Sequence, residues 1–419
     1  MNEDKAYESI FIARQPVFDR GNDTWGYMLL FRDSENAERA IFTDDSEATM
    51  NLVANLPLCG GVAGDKGRLM IHFTPEDIKR ETPLAVPSAN AVIIVEETAD
   101  ADRELLAALA GLRGEGYEVA VNNFEGKVGA EQLAELADYL VVDMDRKTAD
   151  DLSAIVSKGK KIGSARFIAK CVESAEARSM AKDAGFNFFH GFFFQKPQTQ
   201  SGRKITSPEV TRLKLFEIIE KSEPDFDALA PAIEADVAIS YRLLNFLNSA
   251  TFSFATTITS IRQAVVLAGW KPIRNWLRLI ILTDMTPSEK SLELAYLSAH
   301  RAKLFETAAL GGGHEEDSDK LFMLGLFSLL DAMLDMEMKD VVRHLPVDEA
   351  IKTALCGQGG RYASWLPMAR AIENSDWDEV GARAKELDLL PGTVAVSYQH
   401  AFSWADAFFS TEKSKEPKQ

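Results

Sequence analysis

The stretch HGFFFQKP, His190 to Pro197, sets three consecutive phenylalanines between an imidazole and an ammonium. Such a run can be core, a clamp on a ligand, or the remains of an active site. Other chemical motifs are sparse. The six histidines, His72, His190, His300, His314, His344 and His400, are dispersed, and no His-Asp doublet occurs anywhere. Lone histidines on helices are more often satisfied or exposed than metal ligands. Cys59, Cys171 and Cys356 lie far apart and form no CxxC pair. Neither a disulfide framework nor a zinc site is expected from them. The glycine-rich segments GGVAGDKG (Gly60 to Gly67) and GSARF follow neither GxxxxGK[ST] nor GxGxxG, so no phosphate loop is expected. The basic run SKGKK, Ser157 to Lys161, reads as a solvated loop or helix end.

These residues must be held by a chain of 419 residues, long enough for two or three domains. Its 46% hydrophobic and 26% charged content is that of an ordinary soluble protein. The formal charge of −18 disfavours nonspecific nucleic-acid binding. No segment is apolar for long enough to span a membrane. The acidic start MNEDKAYESIF lacks an apolar leader, so a cytoplasmic setting is the expectation.

The first part of the chain alternates strand-like and helix-like segments. The candidate strands are SIFIARQPVF, WGYMLLFR, RLMIHF, AVIIVEE, YEVAVNNF, DYLVVDM, ARFIAK and FNFFHGFFF. Gly114, Gly116 and Gly185 are expected to close helices just before strands. The repetition predicts parallel βα units closing into a barrel. The polar segment QKPQTQSGRKITSP, punctuated by Pro197, Gly202 and Pro208, then reads as a linker. Everything after it is helical in pattern: Leu213, Phe216 and Ile219 recur at three-residue spacing, and NWLRLIIL sets Trp276, Leu279 and Ile280 on one face, a helix core rather than a partner groove.

Two stretches carry a family resemblance. The opening ARQPVFDRGNDTWGYMLLFR and the closing HGFFFQKP resemble an EAL domain, the TIM-like barrel of cyclic di-GMP phosphodiesterases, in the branch where it is fused to an HDOD domain. LLNFLNSATFSFATTITSIRQAVVLAGW, Leu243 to Trp270, is similar to the hallmark block of HDOD domains. The fold expected is an α/β TIM-like barrel over residues 1–200, a linker at 201–207, an all-α HDOD-type domain over 208–410 and a tail at 411–419. In that block Asn248–Ser249 is read either as a helix-end cap or as a partner contact.

An active EAL domain holds two divalent ions with carboxylates and an Asn, and the ions activate a water against a phosphodiester. The resemblance implies that most of those positions have changed. Met28 stands where the signature Glu precedes LLFR, and His72 aligns with the second-strand Asn. The third-strand metal position falls on Ile94, with Glu97 at a later Glu; a two-residue slip puts Glu96 there instead. Asn122 and Asn123 replace paired aspartates. Val141 stands for a Lys, although Asp143 survives. Lys170 replaces a Glu, and His190 replaces the Gln that opens the closing motif. The net swing of about five charge units argues against two bound dications, since attraction scales with the charge product. The helical half resembles HDOD domains in lacking the hydrolase doublet, although Arg301 and Glu306 keep an RA…E pattern.

The expectation is therefore a non-enzymatic signalling protein with no catalytic residue, no metal and no cofactor, acting on protein partners. The vestigial pocket comprises Arg32, His72, Asn122, Asn123, Asp143, Lys170 and His190. A metal-independent receptor for cyclic di-GMP or another anionic nucleotide is the alternative, with Arg32, Lys170 and His190 as an anion site. Against it stands a filled mouth in which Lys170 pairs with Glu173 or Asp143. Unrelated chemistry by His190, Lys170 and Asp143 is a third reading. Weak cyclic di-GMP binding and a homodimer are left open; no nucleic acid and no membrane insertion are expected.

Overall fold

Each apolar segment of the first part becomes a strand, because residues of alternating polarity can bury one face while pairing on both edges. The computed structural model describes residues 11–32, 67–98, 101–196, 246–247, 263, 267, 269–285, 292–345 and 347–413. The strands are β1 (Phe11–Phe18), β2 (Thr24–Arg32), β3 (Arg68–His72), β4 (Ala91–Glu96), β5 (Glu118–Asn122), β6 (Tyr139–Asp143), β7 (Arg166–Lys170) and β8 (Phe188–His190). They close in that order into a barrel. From β2 to β8 the neighbours are parallel, but β1 is antiparallel to both β2 and β8. The expectation of uniformly parallel units is corrected here. Only five residues separate β1 from β2, too few for the crossover that a parallel pair requires.

Helices α1 (Pro75–Lys79), α2 (Arg103–Gly114), α3 (Glu131–Glu135), α4 (Ala149–Ile162) and α5 (Ala175–Ala184) lie between later strands. Their starts are written in the sequence. Thr74 with Asp77 and Thr148 with Asp151 form capping boxes, while Asp102 and Ser174 cap α2 and α5. Gly185 closes α5 at φ +102° and Gly116 follows α2 at φ +93°; Gly114 is the last residue of α2, and Glu115 is its cap.

Met28, Met70, Ile94, Val141, Ile168 and Phe188 fill the barrel interior. At the N-terminal end, Arg68 and Tyr139 hydrogen-bond Glu118, and Arg166 reaches Tyr139. Arg166 also stacks 4.6 Å over the Tyr139 ring. That end is closed by paired polar groups.

The phenylalanine run does not continue the last strand. β8 stops at His190, and Gly191 turns the chain at φ +140°. A Cβ there would lie 2.3 Å from the Val172 carbonyl oxygen, so glycine is required for the close approach. Phe193 to Gln195 form a 3₁₀ turn whose Phe193 and Phe194 rings pack 5.3 and 5.0 Å from Phe18. Of the readings open to this run, Phe193 and Phe194 are core, clustered on Phe18.

The later elements are helical: α6 (Trp270–Met285), α7 (Leu292–Gly311), α8 (Ser318–Phe327), α9 (Leu330–Leu334), α10 (Met338–Val341), α11 (Glu349–Leu355), α12 (Trp365–Glu373), α13 (Trp377–Glu386) and α14 (Pro391–Lys413). Gly325 of α8 lets that helix touch the backbone of Arg301 and Ala302 in α7. The chain falls into two compact units, Met1–Lys196 with Arg370–Ala382 and Pro197–Ala369 with Arg383–Gln419. The linker at 201–207 and most of the Leu243–Trp270 block, including Asn248–Ser249, lie outside the described residues. Among the described residues no helix is long and apolar enough to cross a membrane.

Candidate functional site

Six strands end on a polar residue two positions beyond a core residue. His72 follows Met70, Glu96 follows Ile94, Asn122 follows Ala120, Asp143 follows Val141, Lys170 follows Ile168 and His190 follows Phe188. Two steps along a strand return to the same face. The six side chains therefore ring the C-terminal mouth, the end at which barrels of this kind carry their sites.

The ring has two halves. In one, Glu96 accepts hydrogen bonds from Asn122 Nδ2 at 2.5 Å and Asn123 Nδ2 at 2.9 Å, with His72 Nδ1 3.8 Å away. Asn123 sits just past β5 at φ +52°, a left-handed conformation that turns its amide back toward Glu96. The loop behind it is held by Glu97, a buried carboxylate that accepts N–H groups from Glu125, Gly126 and Lys127 at 2.9–3.0 Å. The register question is thus answered by geometry: Ile94 is core, Glu96 is at the mouth and Glu97 braces a loop.

In the other half, Asp143 pairs in register with Lys170. Asp143 accepts the Asp145 N–H at 2.8 Å, and the Cys171 thiol lies 3.4 Å from its second oxygen. Burial and the Asp143 charge push that thiol up to about 11, so it is a poor nucleophile. Cys171 also has a positive φ, +63°. The Lys170 ammonium makes no hydrogen bond or ion pair among the described residues, so the expected pairing with Glu173 or Asp143 is absent there. Its charge reaches both histidines. Burial, then Lys170, lowers His190 to about 3; burial lowers His72 to about 4, with Lys170 adding to it and Glu96 opposing. Both rings are neutral at physiological pH. His190 is only 4% exposed, and neither ring nitrogen has a hydrogen-bond partner among the described residues.

Of the residues named from sequence, His72, Asn122, Asn123, Asp143, Lys170 and His190 are gathered at the mouth. Arg32 ends β2, but its side chain lies outside the described residues. Met28 is buried in the interior rather than at the rim. Glu96, named from sequence only as the slipped register, joins them, and its signal was available: it follows a core residue by two positions, as the others do.

These donors do not fit a two-ion centre. Among the described residues no group of three or more His, Cys, Asp or Glu side chains is placed to hold an ion. Glu96 is engaged by two amides, and Lys170 contributes a positive charge where a dication would need a negative one. Among the described residues the helical half offers nothing similar. His300 packs 4.8 Å from the Tyr398 ring and 4.7 Å from the Phe402 ring, and His314 Nε2 meets the Leu387 carbonyl at 3.0 Å. Glu306 is buried with Lys303 at 2.9 Å and Lys271 at 3.0 Å. Burial alone would raise its pKa, but the two ammonium groups outweigh that and lower it. Arg301 donates to Ser328 Oγ at 3.0 Å. The RA…E pattern is structural.

A closed barrel with a polar C-terminal mouth, followed by helices, defines a two-part chain of the EAL–HDOD kind. The HDOD domain family matches residues 205–345. Over 388 residues the chain is 30% identical to the cyclic di-GMP phosphodiesterase CdgJ of Vibrio cholerae, covering 92% of this chain and 89% of CdgJ. It is 28% identical over 388 residues to the uncharacterized protein YuxH of Bacillus subtilis, covering 90% and 94%. An EAL domain protein from Listeria monocytogenes aligns with TM-score 0.36 and 17% identity, covering 44% of this chain and 87% of that one. The chain belongs to the EAL–HDOD family that includes CdgJ.

This overturns the expectation of a non-enzymatic protein and with it the metal-independent receptor offered as its alternative. A relative that matches nearly the whole chain at 30% identity is named a phosphodiesterase. The expectation erred by summing charges over replaced positions. It gave Glu96 only as a slipped register, whereas the barrel places that carboxylate at the mouth.

Proposed function

We propose that this chain is a phosphodiesterase acting on cyclic di-GMP at the C-terminal mouth of its barrel. The observation that carries this reading is the ring of His72, Glu96, Asn122, Asp143, Lys170 and His190 on successive strand ends. The kinship with CdgJ supports the choice of substrate. Hydrolysis of a phosphodiester needs a water in line with the leaving ribose oxygen, a group to accept its proton and a donor for the charged phosphate. Glu96 and Asp143 are the carboxylates at the rim, the neutral histidines offer uncharged donors and acceptors, and Lys170 supplies the positive charge. Because the donors do not fit a pair of ions, no step is assigned to one.

The test is incubation of the full chain with cyclic di-GMP and chromatographic detection of the linear dinucleotide. Glu96→Gln and Asp143→Asn should each lower the rate, by about 100-fold or more for the residue that acts as base. Absence of linear product from the wild-type chain overturns the reading.

A further inference from the structure

Residues Arg370–Ala382 lie far along the chain from the strands, yet they belong to the same compact unit as the barrel. They meet it at the mouth. Val17 stands opposite His190 in the antiparallel β1–β8 pair, and β1 runs away from the mouth. Gln15 therefore lies two positions nearer the rim than the core residue Val17, on the same inward face. It is 7% exposed, and its Nε2 donates to the Glu373 carbonyl at 2.7 Å. Gln195, in the 3₁₀ turn beyond β8, donates to the Glu373 carboxylate at 3.3 Å. Glu373 is the last residue of α12. Carbonyls at such an end lack partners within the helix and carry the negative pole of its dipole. Behind it the chain turns tightly: the Asn374 and Asp376 N–H groups return to the Arg370 and Ala371 carbonyls, and Ser375 takes φ +59°. The mouth is uneven as a result. On the β4 side the Glu96 side chain is 57% exposed, whereas on the β8–β1 side His190 is 4% exposed. The segment at the closed side carries four carboxylates, Glu373, Asp376, Asp378 and Glu379, against the single guanidinium of Arg370.

We propose that Arg370–Ala382 is an acidic clasp that holds the β8–β1 side of the mouth closed, and that the cyclic dinucleotide enters only when Glu373 is released from Gln15 and Gln195. The inference rests on the phosphodiesterase reading above and adds how access to that site is regulated. A cyclic dinucleotide carries a negative charge on each phosphodiester. The Glu373 carboxylate and the helix end beside it both repel that charge, so ligand and clasp exclude each other at this rim. Hydrogen bonds of the kind that Gln15 and Gln195 make are strong enough to favour the closed state and weak enough to yield to a ligand.

The experiment follows amide hydrogen exchange across Arg370–Ala382 in the full chain, with and without cyclic di-GMP in a buffer containing Mg²⁺, beside the kinetics of linear-product formation. The dinucleotide should speed exchange in this segment about 10-fold or more. Gln195→Ala leaves the charge at the rim unchanged. It should speed exchange in the ligand-free chain and lower KM by about 3- to 10-fold, with kcat within about twofold of the wild type. Glu373→Gln, which also removes a carboxylate, should lower KM further. A Gln195→Ala variant with wild-type KM, or exchange that the dinucleotide leaves unchanged, overturns the clasp. If linear product forms in that case, the phosphodiesterase reading stands while the clasp falls. If no chain gives product, that reading falls and the clasp falls with it.

Discussion

Replacing Glu97 by Gln should loosen the loop that presents Asn123 and destabilise the barrel. The carboxylate is buried, and its Oε1 accepts the N–H groups of Gly126 and Lys127, both at 2.9 Å, while Oε2 accepts that of Glu125 at 3.0 Å. Glutamine can present one oxygen, best placed where two N–H groups converge. Its NH₂ then faces the Glu125 N–H, donor against donor. One charge-assisted bond is lost and two are weakened to neutral ones. With a hydrogen bond to a charged group taken near the lower end of about 1.5–3 kcal/mol and a neutral one at about 1 kcal/mol, the net loss is about 3 kcal/mol. For a unit of this size that corresponds to a fall of about 6–12 °C in the transition that reports the barrel. Thermal unfolding measures the first effect, and amide exchange at Glu125, Gly126 and Lys127 measures the second. A transition unchanged within about 1 °C, with those amides as protected as in the wild type, refutes the reasoning.

Gly191→Ala puts a Cβ 2.3 Å from the Val172 oxygen at φ +140° and should cost more than about 3 kcal/mol, read as loss of soluble protein or a large drop in melting temperature. His190 has a folded pKa of about 3 against an ordinary 6.5, so between those values the unfolded chain binds the extra proton. Its contribution is fully present above pH 6.5 and declines as pH falls, by about 1.4 kcal/mol per unit; urea unfolding at pH 7 and pH 5 should show a smaller acid loss in His190→Gln than in the wild type. Gly325→Ala would press a Cβ to 2.4 Å from the Ala302 nitrogen, and a melting temperature lowered by several degrees is expected. Tyr362→Phe removes the hydrogen bond to Asp317 at 2.9 Å in the same half and should cost about 1–2 kcal/mol by denaturant titration.

The barrel was legible because its strands announce themselves as apolar runs broken by caps: every candidate strand overlaps an observed one, and Thr74, Asp102, Thr148 and Ser174 start helices by a rule visible in the letters. What the letters did not carry was the sign of the first pairing and the end of the last strand. Antiparallel β1 follows from a short connection, and the end of β8 from a backbone approach at Gly191 that depends on Val172, a residue remote in sequence. Periodicity describes one strand at a time, and both features belong to the relation between strands.

The site shows the same division more sharply. Alignment to a motif assigns residues one by one, and so it set Ile94 and Glu97 first, with Glu96 only as a slipped register, and counted Asn122 and Asn123 as two lost charges. The barrel instead compares strands at a common height. At that height Ile94 is core and Glu97 is turned into a loop, while Glu96 stands beside Asn122 in register and takes both amides. The asparagines are therefore the partners of a carboxylate that sits where they can reach it. Lys170 reads differently for the same reason. In the motif it is a charge of the wrong sign; at the mouth it stands in register with Asp143 yet makes no bond to it, beside a buried histidine with both nitrogens open. A replacement that only erased a function would be expected to find a structural partner, since a half-buried charge left alone is costly. Among the described residues Lys170 keeps no bonded partner, and its charge acts instead on His72 and His190, both of which it helps burial to hold neutral.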